Sequence, residues 1–321
     1  MTCRRVLAAA GLVPALAAGA CREASAPPPE VQIRTILFHR QDTGENLLLN
    51  TDGSSAGAFA SSAPGLVPIG ASTVGHIAVL LDGAAVVLVT LDHPGERDTI
   101  IHPAPAVLSL ASFSPDETLV ALASYVPDAA VLVFDRPNRR VDTLPYGPNE
   151  PALPPLLGPD DDRVVLISVN PLSMSMTQMF RSNRSRTQTN AVGVARVITR
   201  PIFGWPRWTD AGIVMAFVRV AAVGADTLVV GRIDPDVPDV PLQELYHALM
   251  VPVADGHAEL GIGDYSTYAL TADGNLLVLG AEALAGAGRQ ALYLVSPAAP
   301  RVQPLLDVPG QNPVFPLFFH E

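Results

Sequence analysis

The sequence predicts an all-β fold, a six-bladed β-propeller of four-stranded antiparallel blades. Three observations predict it. From Gln32 onward, short runs of Val, Leu, Ile and Ala alternate with turn clusters such as Asp-Gly and Pro-Asp, and nothing reads as a long amphipathic helix. The clusters recur at a spacing of one four-stranded unit. The two ends of the chain each look like part of one such unit. Composition agrees: of 321 residues 49% are hydrophobic and 16% charged, with 31 Pro and 25 Gly, too apolar for disorder and too punctuated for a helical bundle.

The N-terminus reads as an export signal. Arg4 and Arg5 form a positive start, Val6 to Ala20 is a 15-residue apolar stretch interrupted by Pro14, and small residues precede Cys21. Fifteen residues are too few to cross a bilayer as a helix, which takes about 20. Ala18-Gly19-Ala20 fits the small-x-small rule of ordinary signal cleavage, while Ala-Gly-Ala-Cys resembles the lipobox of bacterial lipoproteins, with Ala18 where Leu is usual. The expectation is therefore a signal peptide over 1–20, lipid attachment at Cys21, a Pro-rich tether over 21–30 around Ala26 to Pro29, and one folded domain over 31–321. By the same resemblance, Arg22 in place of Asp points to the periplasmic face of the outer membrane. Soluble periplasmic export is the alternative.

With Cys3 in the removed segment and Cys21 carrying lipid, the folded body has no thiol, hence no disulfide, cysteine nucleophile or thiolate metal ligand. All 20 basic residues are Arg, which removes lysine-dependent chemistry: the Walker-type phosphate loop, the Schiff base and the Ser-x-x-Lys site. The formal charge of -11 becomes -13 once Arg4 and Arg5 are lost, and the acids are spread through loops. Nucleic acid is thus not an expected partner, and the membrane is expected only through the lipid.

The clearest unit runs from Ala106 to Pro145, with strands expected near 107–112, 118–124, 130–134 and 141–144. Its turns are Ser114-Pro115-Asp116-Glu117, Val126-Pro127-Asp128 and Asp135-Arg136-Pro137-Asn138, where Pro and Asp preset type I geometry. The strings Phe113-Ser114-Pro115-Asp116, Val120-Ala121-Leu122-Ala123-Ser124 and Val131-Leu132-Val133-Phe134-Asp135 resemble the blade repeat of TolB-like β-propellers, a WD-type repeat reading roughly F-S-P-D-G, L-A-Y-x-S and L-Y-x-x-D. Weaker copies of the first turn lie at Ser72-Thr73-Val74-Gly75, Gly158-Pro159-Asp160-Asp161, Thr209-Asp210-Ala211-Gly212 and Thr271-Ala272-Asp273-Gly274. Counted from Val74 through Asp116, Asp160, Asp210 and Asp273, the steps are 42, 44, 50 and 63 residues. The sixth blade comes from both ends: strands at Thr35–Arg40, Leu47–Asn50 and Ala56–Ala60, completed by Asn312 to Pro316, which closes the ring. A β-sandwich, a pair of small barrels, a parallel β-helix or a seventh blade hidden in Pro171–Arg200 are the competing architectures.

Chemistry is sparse. Gly70-Ala71-Ser72-Thr73-Val74-Gly75 is one residue too long for a hydrolase elbow, and His-Glu-x-x-His is absent from the sequence. Asp160-Asp161-Asp162 and the run Asp234 to Asp239 lack the alternation that wraps calcium, so they read as hairpin turns. His102, His247 and His257 fall in or beside inter-blade connections, with Asp255, Glu259, Asp264 and Tyr265 near the third. They are candidates for a channel-mouth site, or a polar loop with incidental histidines.

Met174 to Arg186 concentrates three of the six Met and three of the 20 Arg. Met174, Met176 and Met179 beside Arg181 and Arg184 read as a partner-binding lip on an insertion whose deletion leaves the fold intact. Trp205 and Trp208 read as one packing between blades and one near the channel.

The TolB-like resemblance implies a non-catalytic envelope scaffold that binds a protein or small ligand, as a monomer, with no cofactor or metal. The alternative is a propeller hydrolase or lyase with a His/Asp site at the channel mouth.

Overall fold

In the computed structural model, description begins at Ile33 and ends at His320. Residues 1–32, 41–44, 51–54, 59–65, 73–76, 83–84, 91–96, 102–107, 125–128, 147–153, 171–172, 183–184, 193–198, 202, 220–226, 238–241, 250–259, 262–266, 271–273, 283–289, 309–316 and 321 lie outside it. The expected signal peptide, Cys21 and the tether are among these. No helix occurs among the described residues, and the strands form six sheets.

Strands β1 (Ile33–Arg40), β2 (Glu45–Asn50) and β3 (Ser55–Ala58) begin the first sheet. The second is β4 (Leu66–Ala71), β5 (Ile77–Asp82), β6 (Ala85–Thr90) and β7 (Arg97–Ile101). The third is β8 (Leu108–Phe113), β9 (Leu119–Ser124), β10 (Ala130–Asp135) and β11 (Arg140–Pro145), and the fourth is β12 (Leu156–Leu157), β13 (Arg163–Asn170), β14 (Ser173–Phe180) and β15 (Ser185–Val192). Each is an antiparallel meander in chain order.

The chain then divides an inner strand among β16 (Thr199–Pro201), β17 (Phe203–Trp205) and β18 (Arg207–Thr209). The first and last of these pair with β19 (Gly212–Arg219), which with β20 (Thr227–Ile233) and β21 (Gln243–Leu249) makes the fifth sheet. The sixth holds β22 (Leu260–Gly261), β23 (Thr267–Leu270), β24 (Leu276–Glu282), β25 (Gln290–Ser296) and β26 (Ala299–Val308), and β17 crosses to it by pairing in parallel with β23. Finally β27 (Leu317–His320) pairs antiparallel with β1 on the edge away from β2. The strand that pairs with β1 thus begins just beyond 312–316, which are outside the described residues.

The five expected first turns all fall between the first and second strands of a sheet. Four share a conformation as well: the last residue of each, Glu117 (φ 61°), Asp161 (φ 57°), Gly212 (φ 124°) and Gly274 (φ 83°), has positive φ. A type I turn followed by a left-handed residue is a standard three-residue hairpin connection. Side chains brace it. In the third sheet Ser114 Oγ donates to Asp116 Oδ1 at 2.6 Å, and Asp116 Oδ1 accepts from the Thr118 amide at 3.1 Å. In the fourth, Asp160 Oδ1 accepts from the Arg163 amide at 3.2 Å.

Packing explains the composition. Along β9, Leu119 and Ala121 join a buried cluster with Leu157, Val164 and Leu166 of the fourth sheet, while Val120 and Leu122 join one with Val86 and Leu88 of the second. Alternate side chains point to opposite faces of a strand, and here both faces meet another sheet. The strand is therefore apolar from Leu119 to Ala123 instead of alternating with polar residues. Similar clusters join the fourth sheet to the fifth and the fifth to the sixth.

Buried polar side chains tie adjacent sheets further: Asn46 Nδ2 donates to the Leu66 carbonyl at 2.9 Å, Ser112 Oγ to the Pro155 carbonyl, and Gln178 Nε2 to the Pro235 carbonyl. The Pro171–Arg200 stretch holds neither an excursion nor an extra blade in its described residues. It supplies β14 and β15 of the fourth sheet and β16 of the fifth.

Candidate functional site

The first strands of five sheets converge on one cavity of about 70 Å³. Ser72 at the end of β4, Phe113 of β8, Leu157 of β12, Trp208 of β18, and Trp205 and Leu270 at β17 and β23 face it together. The strands meet because Cβ atoms are missing or small where they cross. A Cβ on Gly70 would lie 2.4 Å from the Ala111 carbonyl oxygen, and one on Gly204 would lie 2.3 Å from Tyr268 Cδ1. Approaches that close admit only glycine without a backbone shift.

Trp205 lines the cavity and bridges two sheets. Its Nε1 donates to the Ala111 carbonyl at 3.2 Å, joining a strand of the sixth sheet to one of the third. Trp208 packs between the fourth and fifth sheets, and the Arg163 guanidinium stacks on its ring at 4.8 Å from the centroid, within cation–π range. Arg163 is itself paired with Asp236. The wall mixes aromatic and aliphatic side chains with Ser72 and Ser112, and Arg207 is its one charged lining residue among those described. Both tryptophans are 9% exposed. One packs between sheets as the sequence suggests, but both line the cavity.

The methionine lip is corrected. β14 is an interior strand, paired with β13 on one edge and β15 on the other. Met176 packs toward the fifth sheet and Met179 toward the third, at 0% and 1% exposure. Neither presents surface to a partner, and a deletion over 174–186 would remove a paired strand. Met174 pairs with Val169 and Val192 through its backbone, and Arg184 is outside the described residues.

Arg181 is a clip between sheets. Its NH1 donates to the Asp161 carbonyl at 2.6 Å, and its NH2 lies 3.2 Å from Asp142 and 3.6 Å from Asp135. Burial pushes the Asp142 carboxyl up, but hydrogen bonds from Arg140 and Arg181 outweigh it and hold the group below the usual carboxylate range.

The histidine site is also revised. His247 sits on β21, the outer strand of the fifth sheet, half-exposed and paired with Glu244, away from the cavity. His102, His257, Asp264 and Tyr265 lie outside the described residues. Among the described residues no group of three or more His, Cys, Asp or Glu is placed to hold a metal. The cavity itself is what sequence reasoning missed: first strands were legible one by one, but only their convergence shows which residues share a wall.

The chain is all-β with six sheets, and the solved structures it resembles in fold are β-propellers. No family model matches the chain, and no curated protein does. Among solved structures it is similar to TolB from Acinetobacter baumannii, with a TM-score of 0.53 at 12% identity over 84% of this chain and 64% of that one. It is similar also to a putative TolB from Agrobacterium tumefaciens, with a TM-score of 0.50 at 11% identity over 86% and 90%. The β-propeller domain of Myceliophteria thermophila Cps50 (Swd1) gives 0.47 at 12% identity, over 88% of each chain. At these identities the likeness is one of fold, and the chain spans under two thirds of the Acinetobacter protein.

Proposed function

We propose that the six sheets are the six blades of a propeller ring closed by β27, and that the molecule is a non-catalytic binding scaffold of the bacterial cell envelope. Its partner, a protein or small ligand, seats a group in the axial cavity. The observation that carries this reading is the convergence of five first strands on one aromatic wall with a single guanidinium. At about 70 Å³ the cavity falls well below the several hundred Å³ of a typical cofactor or drug site. That favours one inserted side chain or end group over an enclosed substrate. The hydrolase or lyase alternative loses His247 to the rim, and its other candidates lie outside the described residues.

Ala71, half-buried on the cavity wall, offers the test. Ala71→Trp fills the space from its edge and is expected to abolish capture of the envelope partner while thermal stability stays within a few degrees. Undiminished capture by the folded variant would remove the cavity from the reading. Envelope placement rests on the N-terminal sequence. Cys21→Ser is expected to move the protein from the membrane fraction to the soluble periplasm, and mass spectrometry of the mature N-terminus reads the same point directly.

A further inference from the structure

The interrupted inner strand of the fifth sheet carries slack. β16 ends its pairing at Pro201 with Phe217, and β18 begins at Arg207 with Val214. Five residues, 202–206, therefore stand opposite only two, Met215 and Ala216. The surplus forms a strap whose middle, Phe203 to Trp205, leaves its own sheet and pairs in parallel with β23 over three residues. The gap left beside β19 is filled from the other side. Tyr268 of β23 is wholly buried, its ring against Gly204 and its hydroxyl set against the Ala216 backbone.

We propose that this strap is a movable wall of the axial cavity. It can lift without unzipping either flank, because β16 and β18 keep their own antiparallel ladders with β19 and the surplus residues absorb the displacement. Among what holds it down are a short parallel ladder, which is weaker per residue than an antiparallel one, the indole hydrogen bond from Trp205 to Ala111 and the burial of Gly204, Trp205 and Pro206. Lifting withdraws Trp205 from the cavity wall and enlarges the cavity by the volume of an indole, so that a bulky side chain enters where the resting cavity takes a small one. The binding-competent state is then a minor conformer that a ligand selects.

Native-state hydrogen exchange on the full chain tests this without a partner, so its outcome is independent of whether the cavity is the binding site. Amides of 203–205 are expected to exchange at least tenfold faster than those of Thr199, Arg200 and 207–209 on either side. Equal protection across all three segments would overturn the proposal. A lock adds a second measurement. Phe203 and Thr267 are Cα partners in the parallel ladder, a spacing within the reach of a disulfide. In a variant with Cys3 and Cys21 replaced by Ser, Phe203→Cys with Thr267→Cys should, once oxidised, bring the 203–205 amides to the level of their flanks and return them on reduction. Fast exchange that persists in the oxidised lock would show that the protection pattern does not come from lifting.

Discussion

At the scale of the residue, the turn between the first two strands in four of the sheets has one position under a common demand. The fourth residue of the turn takes a left-handed conformation, which costs a residue with a Cβ about 1 kcal/mol or more and glycine nothing. Two sheets meet the demand with Gly212 and Gly274, and two do not, using Glu117 and Asp161. Asp161 carries a second burden: burial first, then the negative field of Asp116, Asp160 and Asp135, pushes its carboxyl above the ordinary range against the pull of Arg181.

A carboxyl raised in the folded state favours folding less once it ionises. The penalty is therefore absent below the unfolded value near 3.8 and fully present once the pH exceeds the raised value. Asp161→Gly is expected to stabilise by about 1 kcal/mol from the backbone alone, with an additional gain at neutral pH that disappears in acid. Chemical denaturation at pH 7 and at pH 3 separates the two parts, and a gain independent of pH would leave only the backbone contribution.

At the scale of the element, strands and turns were legible because their signals are local. Ala106 to Pro145 announces its four strands through Pro-Asp turns between apolar runs, and the observed bounds agree within a residue or two. The Met174 to Arg186 stretch misled for the opposite reason. Its strand sets Ser, Thr and Gln between the Met residues and leads into an Arg-rich turn, so composition suggested surface. Thr177 and Gln178 are buried because the neighbouring sheets supply what they need, Gln178 donating across the interface to a carbonyl. Such a partner lies 57 residues away in sequence and leaves no local trace. Met176→Ala should cost about 2–5 kcal/mol, the range for truncating a buried aliphatic side chain, read as a lowered urea midpoint. A loss under 0.5 kcal/mol would mean that the side chain is not packed as described.

At the scale of the whole molecule, the first sheet has an unusual debt to the end of the chain. β1 receives its outer backbone partner from β27, nearly 280 residues later. Ile36 and Leu37 of β1, 0% and 1% exposed, lie opposite Phe318 and Leu317 in that ladder. Removing residues 317–321 would leave four described residues of ladder unpaired, and an open apolar edge recruits other chains. The truncated protein is expected to melt earlier and to associate in light scattering. A monomer of unchanged melting temperature would show that the terminal strand contributes little to closure. The pairing of the chain's two ends was available in the sequence because each fragment lacked what the other held. The shared cavity was not, since no local signal brings Ser72, Leu157 and Trp208 to one wall.

Those two indoles are the only ones in the chain. Excitation at the red edge of protein absorbance, where tyrosine is silent, therefore illuminates one cavity and nothing else in a molecule of 33.7 kDa. Emission from the unlabelled protein is in effect a local spectrum: its wavelength reports water at the axis, and a guanidinium 4.8 Å from one ring acts as a built-in charge probe. That places an optical readout at the proposed site with no residue changed.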